Sequence, residues 1–353
     1  MGKLQKIFIS IAVVACFVCG WGNLVSANSE RPIWVVTGLN FYDEVAKQVA
    51  GQHGQVTSFI NSSSVNPHDY QPGAKQAEEV AKSNVVIENG AGYDNWMNKL
   101  AKSSGNQDAK VVNVGKVVGK KNGDNEHLWY RPTTVKQLAN ALASQYSKID
   151  PDHAKEYRAN AHRYIASLKP LDQEIAKDKQ QVNPQKKEVA VSEPVFDYAL
   201  ESMGYQVMDK HFEKAVEDGK DPSPKDIHQF QQVICKHQIA FFVDNTQASD
   251  RVVKNLVALA KKNDVPVLKV TETKPSQKMI YTKLMMNQYQ ELSKIQKEIM
   301  VQIENKGSWK KYRSAPMLFQ LPFALGSLTL FNGFLSANVP GCQENQAGDD
   351  TGN

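Results

Sequence analysis

The sequence predicts an α/β protein with two lobes, each a mostly parallel sheet flanked by helices, joined by one long kinked helix. Short apolar runs alternate with amphipathic stretches of helical period, which is typical of βαβ units. This alternation occurs twice, before and after a long stretch of helical spacing at residues 150–182. The length of 353 residues, with 41% hydrophobic and 22% charged residues, is sufficient for two globular domains.

Residues 1–27 are expected to be an export signal. Lys3 and Lys6 precede an apolar run, and small residues lead up to Ala27, which is the arrangement of a secretory signal peptide. Two processing routes stay open: cleavage after Ala27, or lipid anchoring at Cys16, which ends a loose match to a lipoprotein box. Cleavage is slightly favoured because the residues after Cys16 remain apolar. Either route places the mature protein outside the cytoplasm, at the surface of a bacterium.

Residues 28–149 are expected to form the N-terminal lobe. Its predicted strands are short runs rich in valine and isoleucine, at residues 33–37, 55–60, 85–88 and 111–114. Its predicted helices have apolar side chains on one face, at residues 41–50, 74–82, 96–102 and 133–148. Helices of this length between strands indicate parallel pairing.

Residues 150–182 are expected to form the linking helix. Asp150 and Pro151 supply an N-cap and a proline at the first helical position. Apolar side chains then recur near helical spacing, and Pro170 inside the stretch predicts a kink. A stiff helix between two α/β halves favours a strut between lobes.

Residues 183–306 are expected to form the C-terminal lobe. Its predicted strands lie at residues 188–191, 239–243 and 265–270. Its predicted helices lie at residues 195–202, ended by Gly204, from Ser223 onward, at 249–261 and at 278–304. The remaining residues, 307–353, form an apolar tail to which the sequence assigns no role.

Four metal-competent side chains follow predicted strands or the loops after them: His68, His127, Glu193 and Glu272. His68 is presented by a short loop between Pro67 and Pro72, whose rings restrict the backbone. Ligands of parallel sheets gather beyond the carboxyl ends of the strands. Two imidazoles and two carboxylates can together bind one divalent first-row metal, so we expect one site in the cleft between the lobes.

Three motifs strengthen this expectation: Asn66-Pro67-His68-Asp69-Tyr70-Gln71-Pro72, Glu126-His127-Leu128-Trp129 and Asp221-Pro222-Ser223-Pro224-Lys225-Asp226. With them, residues 33–304 resemble the solute-binding proteins of manganese/zinc-class ABC importers, some of which are described as adhesins. The resemblance implies that His68, His127, Glu193 and Glu272 are metal ligands and that the partner is an ABC permease.

The chain departs from the family pattern at several positions. Tyr130-Arg131-Pro132 stands where the family usually has an Asp before its Pro, and Glu193 stands where zinc members often have His. The last ligand is usually Asp, so Asp244 remains an alternative to Glu272 as the fourth ligand. No His-rich loop is present.

The ligand types allow either manganese or zinc. Oxygen ligands suit Mn²⁺, whereas imidazole and the intrinsic order of affinities favour Zn²⁺. The number of carboxylates favours Mn²⁺, with Zn²⁺ as the close alternative.

We therefore expect a binding protein that captures a divalent metal for a permease, and not an enzyme. The alternatives are an exported metallohydrolase, which would need an open coordination position for water, and a surface adhesin. The net charge of +5 is spread without a basic block, so no nucleic-acid partner is expected, and we expect a monomer. Cys235 and Cys342 are too few for a disulfide framework and are expected to be incidental.

Overall fold

The computed structural model describes residues 32–313, except positions 66, 69, 248, 249 and 277, with side chains described up to residue 304. The predicted export signal and residues 314–353 of the predicted tail lie outside the described residues. Among the helices that are described, none is both long enough and apolar enough to cross a membrane.

The N-terminal lobe contains a four-stranded parallel sheet in the order β2-β1-β3-β4. Its strands are β1 (Ile33–Leu39), β2 (Gly54–Ile60), β3 (Val85–Glu88) and β4 (Lys110–Asn113). Its helices are α1 (Asp43–Ala50), α2 (Ala74–Lys82), α3 (Asn95–Ser103), α4 (Val114–Val117) and α5 (Thr134–Ile149). Helix α4 was not predicted. The strand before it ends early because the Asn113 side chain accepts a hydrogen bond from the Lys116 backbone N–H and caps α4.

The predicted kinked linking helix is present: α6 (Ala154–Ser167) and α7 (Lys169–Gln181) follow one another directly, with a break at Leu168 just before Pro170. Pro170 lies in the first turn of α7, where a missing N–H is tolerated. Helix α6 packs against α1 and α5 of the N-terminal lobe. Helix α7 packs against two helices of the other lobe, so the break falls where the segment passes from one lobe to the next.

The C-terminal lobe repeats the same parallel topology, in the order β6-β5-β7-β8. Its strands are β5 (Glu188–Val191), β6 (Gln206–Val207), β7 (Phe242–Asn245) and β8 (Val267–Val270). Its helices are α8 (Asp197–Met203), α9 (Lys210–Glu217), α10 (Pro224–Cys235), α11 (Arg251–Lys262) and α12 (Tyr281–Arg313). The two-lobe α/β prediction is confirmed, whereas β6 and α9 were missed.

Cys235 is not incidental, as had been expected, because it is disulfide-bonded. The other three cysteines, Cys16, Cys19 and Cys342, lie outside the described residues.

An aromatic core connects the two lobes. Trp129 is fully buried and stacks on Phe41, with ring centroids 5.0 Å apart. The neighbouring Tyr130 ring meets Phe196 of the C-terminal lobe edge-on at 5.0 Å. The Tyr281 hydroxyl of α12 donates a hydrogen bond to the Trp129 carbonyl at 2.7 Å. The lobes therefore share one continuous apolar core.

A buried ion pair also fastens the loop after β8 to the N-terminal lobe. Lys274 is 1% exposed, and its Nζ lies 2.5 Å from Asp43 Oδ1 on α1. The Lys274 backbone N–H donates to Asn40 Oδ1 at 3.0 Å, and Asn40 Nδ2 donates to the Lys274 carbonyl at 3.3 Å. A loop that belongs to the C-terminal sheet is thus held by three contacts with the other lobe.

We expect Lys274→Met to lower the free energy of unfolding by about 1–3 kcal/mol, because the buried Asp43 carboxylate would lose a charged donor and keep only Lys47, whose Nζ lies 3.1 Å from its other oxygen. Urea denaturation of the metal-free protein measures this change.

Lys294→Met is the matched control, since Lys294 pairs with Glu291 at the surface and exposed pairs contribute little. The double variant Lys274→Met with Asp43→Leu should recover part of the lost stability, because no charge is left buried. A Lys274→Met variant that unfolds at the wild-type urea concentration would show that the ion pair is dispensable.

Candidate metal centre

The four predicted ligands all lie beyond the carboxyl ends of strands, two from each lobe. His68 lies in the connection after β2, and His127 lies after β4, next to a short helical turn at Leu128–Tyr130. Glu193 follows β5, and Glu272 follows β8. Because the sheets are parallel, these positions fall at the edge of each sheet where ligands bind.

His68 and Glu272 meet across the cleft. His68 Nε2 lies 3.2 Å from Glu272 Oε2, and the side chains are 30% and 5% exposed. The Tyr93 hydroxyl donates to the same Glu272 oxygen at 3.1 Å. Burial lowers the pKa of His68, but the hydrogen bond and charge of Glu272, together with Glu126 and Glu193, outweigh it and raise the pKa above its usual value.

His127 is fully buried and held in one orientation by Asn125. The Asn125 amide nitrogen donates to the Pro194 carbonyl at 2.7 Å, so its oxygen is the atom that lies 2.9 Å from His127 Nδ1. Nδ1 therefore carries the hydrogen, and Nε2 presents a lone pair. Nε2 is buried and has no hydrogen-bond partner among the described residues. Burial lowers the pKa of His127 to about 4, so the imidazole stays neutral.

Glu193 is connected to Glu272 through the side chain of Asn245. The Asn245 side-chain amide donates to both Glu193 Oε2 and Glu272 Oε1, the latter at 2.5 Å. Burial, followed by the charge of Glu272, raises the pKa of Glu193 to about 7. Within the described part of the chain, ligand atoms of His68, His127 and Glu272 lie within 4.8 Å of one another. Glu193 is not in that group of three.

Asp244, the alternative fourth ligand, lies beside Asn245 on β7. Successive side chains of a strand point to opposite faces, so Asp244 points away from the face that Asn245 uses to reach Glu193 and Glu272. Burial raises the pKa of Asp244, and the charges of Lys269 and Lys261 act against it. The structure thus brings Glu272, and not Asp244, next to the histidines.

Two further carboxylates that the sequence analysis missed lie beside the imidazoles. Glu217 Oε1 lies 3.7 Å from both His68 Nε2 and His127 Nε2. Glu126 Oε1 lies 3.7 Å from His68 Nδ1. Burial, then the charge of Glu272, raises the pKa of Glu217 to about 10. Glu126 was visible as the residue before His127, whereas Glu217 was hidden because helix α9 was missed.

A cavity of about 460 Å³ adjoins the centre and is lined by Glu126, His127 and Glu217 among others. Its wall also carries Asp197, Glu213 and the cations Lys210 and Lys214. The cavity is therefore rich in charge and reaches the buried imidazole of His127.

A second cluster lies where α1, β2 and α6 meet. The rings of His53 and His153 stack with centroids 3.8 Å apart, and His53 Nε2 lies 2.9 Å from Glu156 Oε2. Asp150 Oδ2 lies 2.7 Å from His153 Nδ1. This cluster contains none of the predicted ligands, but two imidazoles and a carboxylate are ligand types that zinc accepts.

The donors at the inter-lobe centre fit a divalent transition metal. They combine a neutral imidazole that presents a buried lone pair, a second imidazole beside it, and several anionic oxygens. Within the described part of the chain these donors face one another. A cation between them would attract each carboxylate and so offset the repulsion among the carboxylates.

Comparisons with known proteins identify the family of the chain. Residues 35–295 match the family described as "Zinc-uptake complex component A periplasmic" (ZnuA). The chain is 25% identical over 214 residues to the manganese-binding lipoprotein MntA of Halalkalibacterium halodurans, a match that covers 58% of this chain and 70% of that protein. It is 27% identical over 216 residues to the high-affinity zinc uptake system protein ZnuA of Bacillus subtilis, covering 54% and 67%.

The fold is shared with a solved structure, a manganese-bound mutant of a periplasmic metal-binding protein from Candidatus Liberibacter asiaticus. The TM-score is 0.60 at 17% identity, with 74% of this chain and 99% of that chain covered. Because the family match spans most of the chain, and the two lobes and their topology agree with it, the protein belongs to the ZnuA family of metal-uptake components.

Proposed function

We propose that this protein captures a divalent transition metal outside the cytoplasm and delivers it to an ABC permease. The observation that carries the proposal is the meeting of His68, His127 and Glu272 from two lobes, with the His127 Nε2 lone pair buried and lacking a hydrogen-bond partner among the described residues. Membership of the ZnuA family supports the same function. The exported hydrolase and the surface adhesin gain no support from the comparisons.

His68, His127, Glu193 and Glu272 are the proposed ligands. Asn125 fixes the tautomer of His127, so His127 Nε2 does not have to lose a proton before it binds the metal. Tyr93 and Asn245 hold Glu272 by donating to both of its oxygens. Glu193 shares the Asn245 amide with Glu272, which supports its inclusion among the ligands.

Manganese is the proposed cargo, with zinc as its competitor. The carboxylates supply the hard oxygen donors that suit Mn²⁺, while the two imidazoles keep Zn²⁺ affinity high. The relatives named above include both a manganese-binding protein and a zinc-uptake protein.

The proposed location is the outer side of the cytoplasmic membrane, with the mature chain cleaved after Ala27 or anchored by lipid at Cys16. The protein is proposed to act as a monomer that meets the permease, with no catalytic step of its own.

We expect one Mn²⁺ to bind per chain. Titration of metal-free protein by calorimetry, with elemental analysis of the product, measures the stoichiometry. If the chain binds a second equivalent of metal with Zn²⁺ but not with Mn²⁺, that binding should disappear in a His153→Ala variant. This substitution disrupts the second cluster, which contains His53, His153 and Glu156. No tight Mn²⁺ site, or two of them, would contradict the proposal.

Loss of a residue that orients a metal ligand lowers metal affinity about 10- to 100-fold. We expect His68→Ala and His127→Ala, which remove ligands themselves, each to lower Mn²⁺ affinity by more than this. His211→Ala, His228→Ala and His237→Ala are the controls; His211, for example, is 93% exposed on α9. Calorimetry on the five variants measures the changes. Equal losses in all five would place the metal elsewhere.

We expect Mn²⁺ affinity to fall as the pH drops below about 7. The pKa of His68 is raised, and that of Glu193 is about 7, so both take up protons in that range and compete with the metal. His127, with a pKa of about 4, remains neutral and contributes nothing to this dependence. Affinity measured at intervals across the pH range tests the slope.

Glu193→Gln should bind Mn²⁺ more weakly and with a flatter pH dependence, because one of the two titrating groups is gone. A wild-type affinity that is constant from pH 8 to pH 6 would contradict the assignment of these groups.

A further inference from the structure

We propose that Glu217 on α9 is a further metal-contacting carboxylate that raises selectivity for Mn²⁺ over Zn²⁺, an inference that rests on the proposed function. Glu217 Oε1 lies 3.7 Å from the Nε2 atoms of both His68 and His127. Ligands about 2.1 Å from a tetrahedral ion lie roughly 3.5 Å from one another. Both distances from Glu217 are thus close to the spacing of donors around one ion.

Among the described residues, no lysine or arginine forms an ion pair with the Glu217 carboxylate, and the basic groups nearest to it are the imidazoles of His68 and His127. Its side chain is 5% exposed, and the side chain within hydrogen-bond reach of it is Glu126, which is itself a carboxyl group. A buried carboxyl group at such a position is either protonated, as the raised pKa of about 10 indicates for metal-free Glu217, or ionised and paired with a cation that replaces the proton. The nearest cation along the helix, Lys214, is 66% exposed and binds Asp218 Oδ1 at 2.5 Å.

Two of the groups that face Glu217, the His127 imidazole and the Glu126 carboxyl, can act as acceptors. His127 presents its Nε2 lone pair, because Nδ1 is used by Asn125. On the other side, ligand atoms of Glu126, Glu217 and His68 lie within 4.8 Å of one another. A divalent cation satisfies acceptors that face one another in this way.

Helix α9 itself provides an internal comparison. Phe212 and Val216 anchor its apolar face in the C-terminal lobe. Glu213 lies one turn before Glu217 and is equally buried, but Glu213 Oε1 has Lys210 Nζ at 3.5 Å. One of the two buried carboxylates thus has a cation supplied by the protein, and the other faces the metal ligands.

An additional anionic oxygen changes the preference of the site. Zn²⁺ is usually satisfied by four ligands in a tetrahedron, whereas Mn²⁺ favours oxygen donors and larger coordination numbers. Glu217 together with Glu272 and Glu193 would supply three carboxylates to the two imidazoles, and this excess of oxygen benefits Mn²⁺ more than Zn²⁺.

The test compares Glu217→Gln with Glu213→Gln in the full chain, titrated with Mn²⁺ alone and with Zn²⁺ alone. Glutamine keeps the shape of the side chain and removes its charge. We expect Glu217→Gln to lower Mn²⁺ affinity at least about tenfold, as loss of a group at a metal site does, and Zn²⁺ affinity by less. Glu213→Gln should leave the ratio of the two affinities unchanged.

Wild-type affinities in Glu217→Gln, or the same change of ratio in Glu213→Gln, would overturn the inference and leave the proposed function intact. A wild-type chain that binds neither metal would overturn both. If Glu217→Gln does not fold, a crystal structure of the Mn²⁺-bound wild type decides. A Glu217 oxygen within bonding distance of the ion supports the inference. A distance beyond about 3 Å, which is about one and a half times the length of a metal–oxygen bond, overturns it.

Discussion

The attachment of the loop after β8 to the N-terminal lobe determines where the candidate centre lies. Lys274 is buried against Asp43, and its backbone is paired with Asn40. Glu272 is two residues away and therefore faces His68 of the other lobe at 3.2 Å, although it belongs to the C-terminal sheet. The aromatic core around Trp129 excludes water from the same junction, which strengthens both the ion pair and the interactions between the ligands.

This rigid junction concentrates negative charge, and a few neutral groups keep it in place. Asn245 donates to two carboxylates at once, and Tyr93 donates to one of them. Asn125 settles which nitrogen of His127 carries the hydrogen. These donors orient the oxygens and nitrogens but do not neutralise them, so a divalent cation has more to gain here than at an ordinary surface group of carboxylates.

Elements with strong local signals were predicted closely. Strand β3 and helix α2 have the predicted bounds, because a run of apolar β-branched residues and an amphipathic stretch after Gly73 are local features. Strand β6 has only two residues and is defined by its pairing with β5, so no local sequence pattern predicts it. Helix α9 could have been predicted, since the buried Phe212 and Val216 are spaced four residues apart.

The position of each predicted ligand after a strand follows from local sequence, because apolar periodicity shows where strands end and parallel topology brings those ends to one edge. Which side chains meet was decided only by tertiary structure. The packing of the two lobes brings Glu217 to both imidazoles, places Asn245 between Glu193 and Glu272, and leaves Asp244 on the opposite face. The physical reason is that periodicity reports which face of an element is buried, whereas distances between residues far apart in the chain depend on how the elements pack.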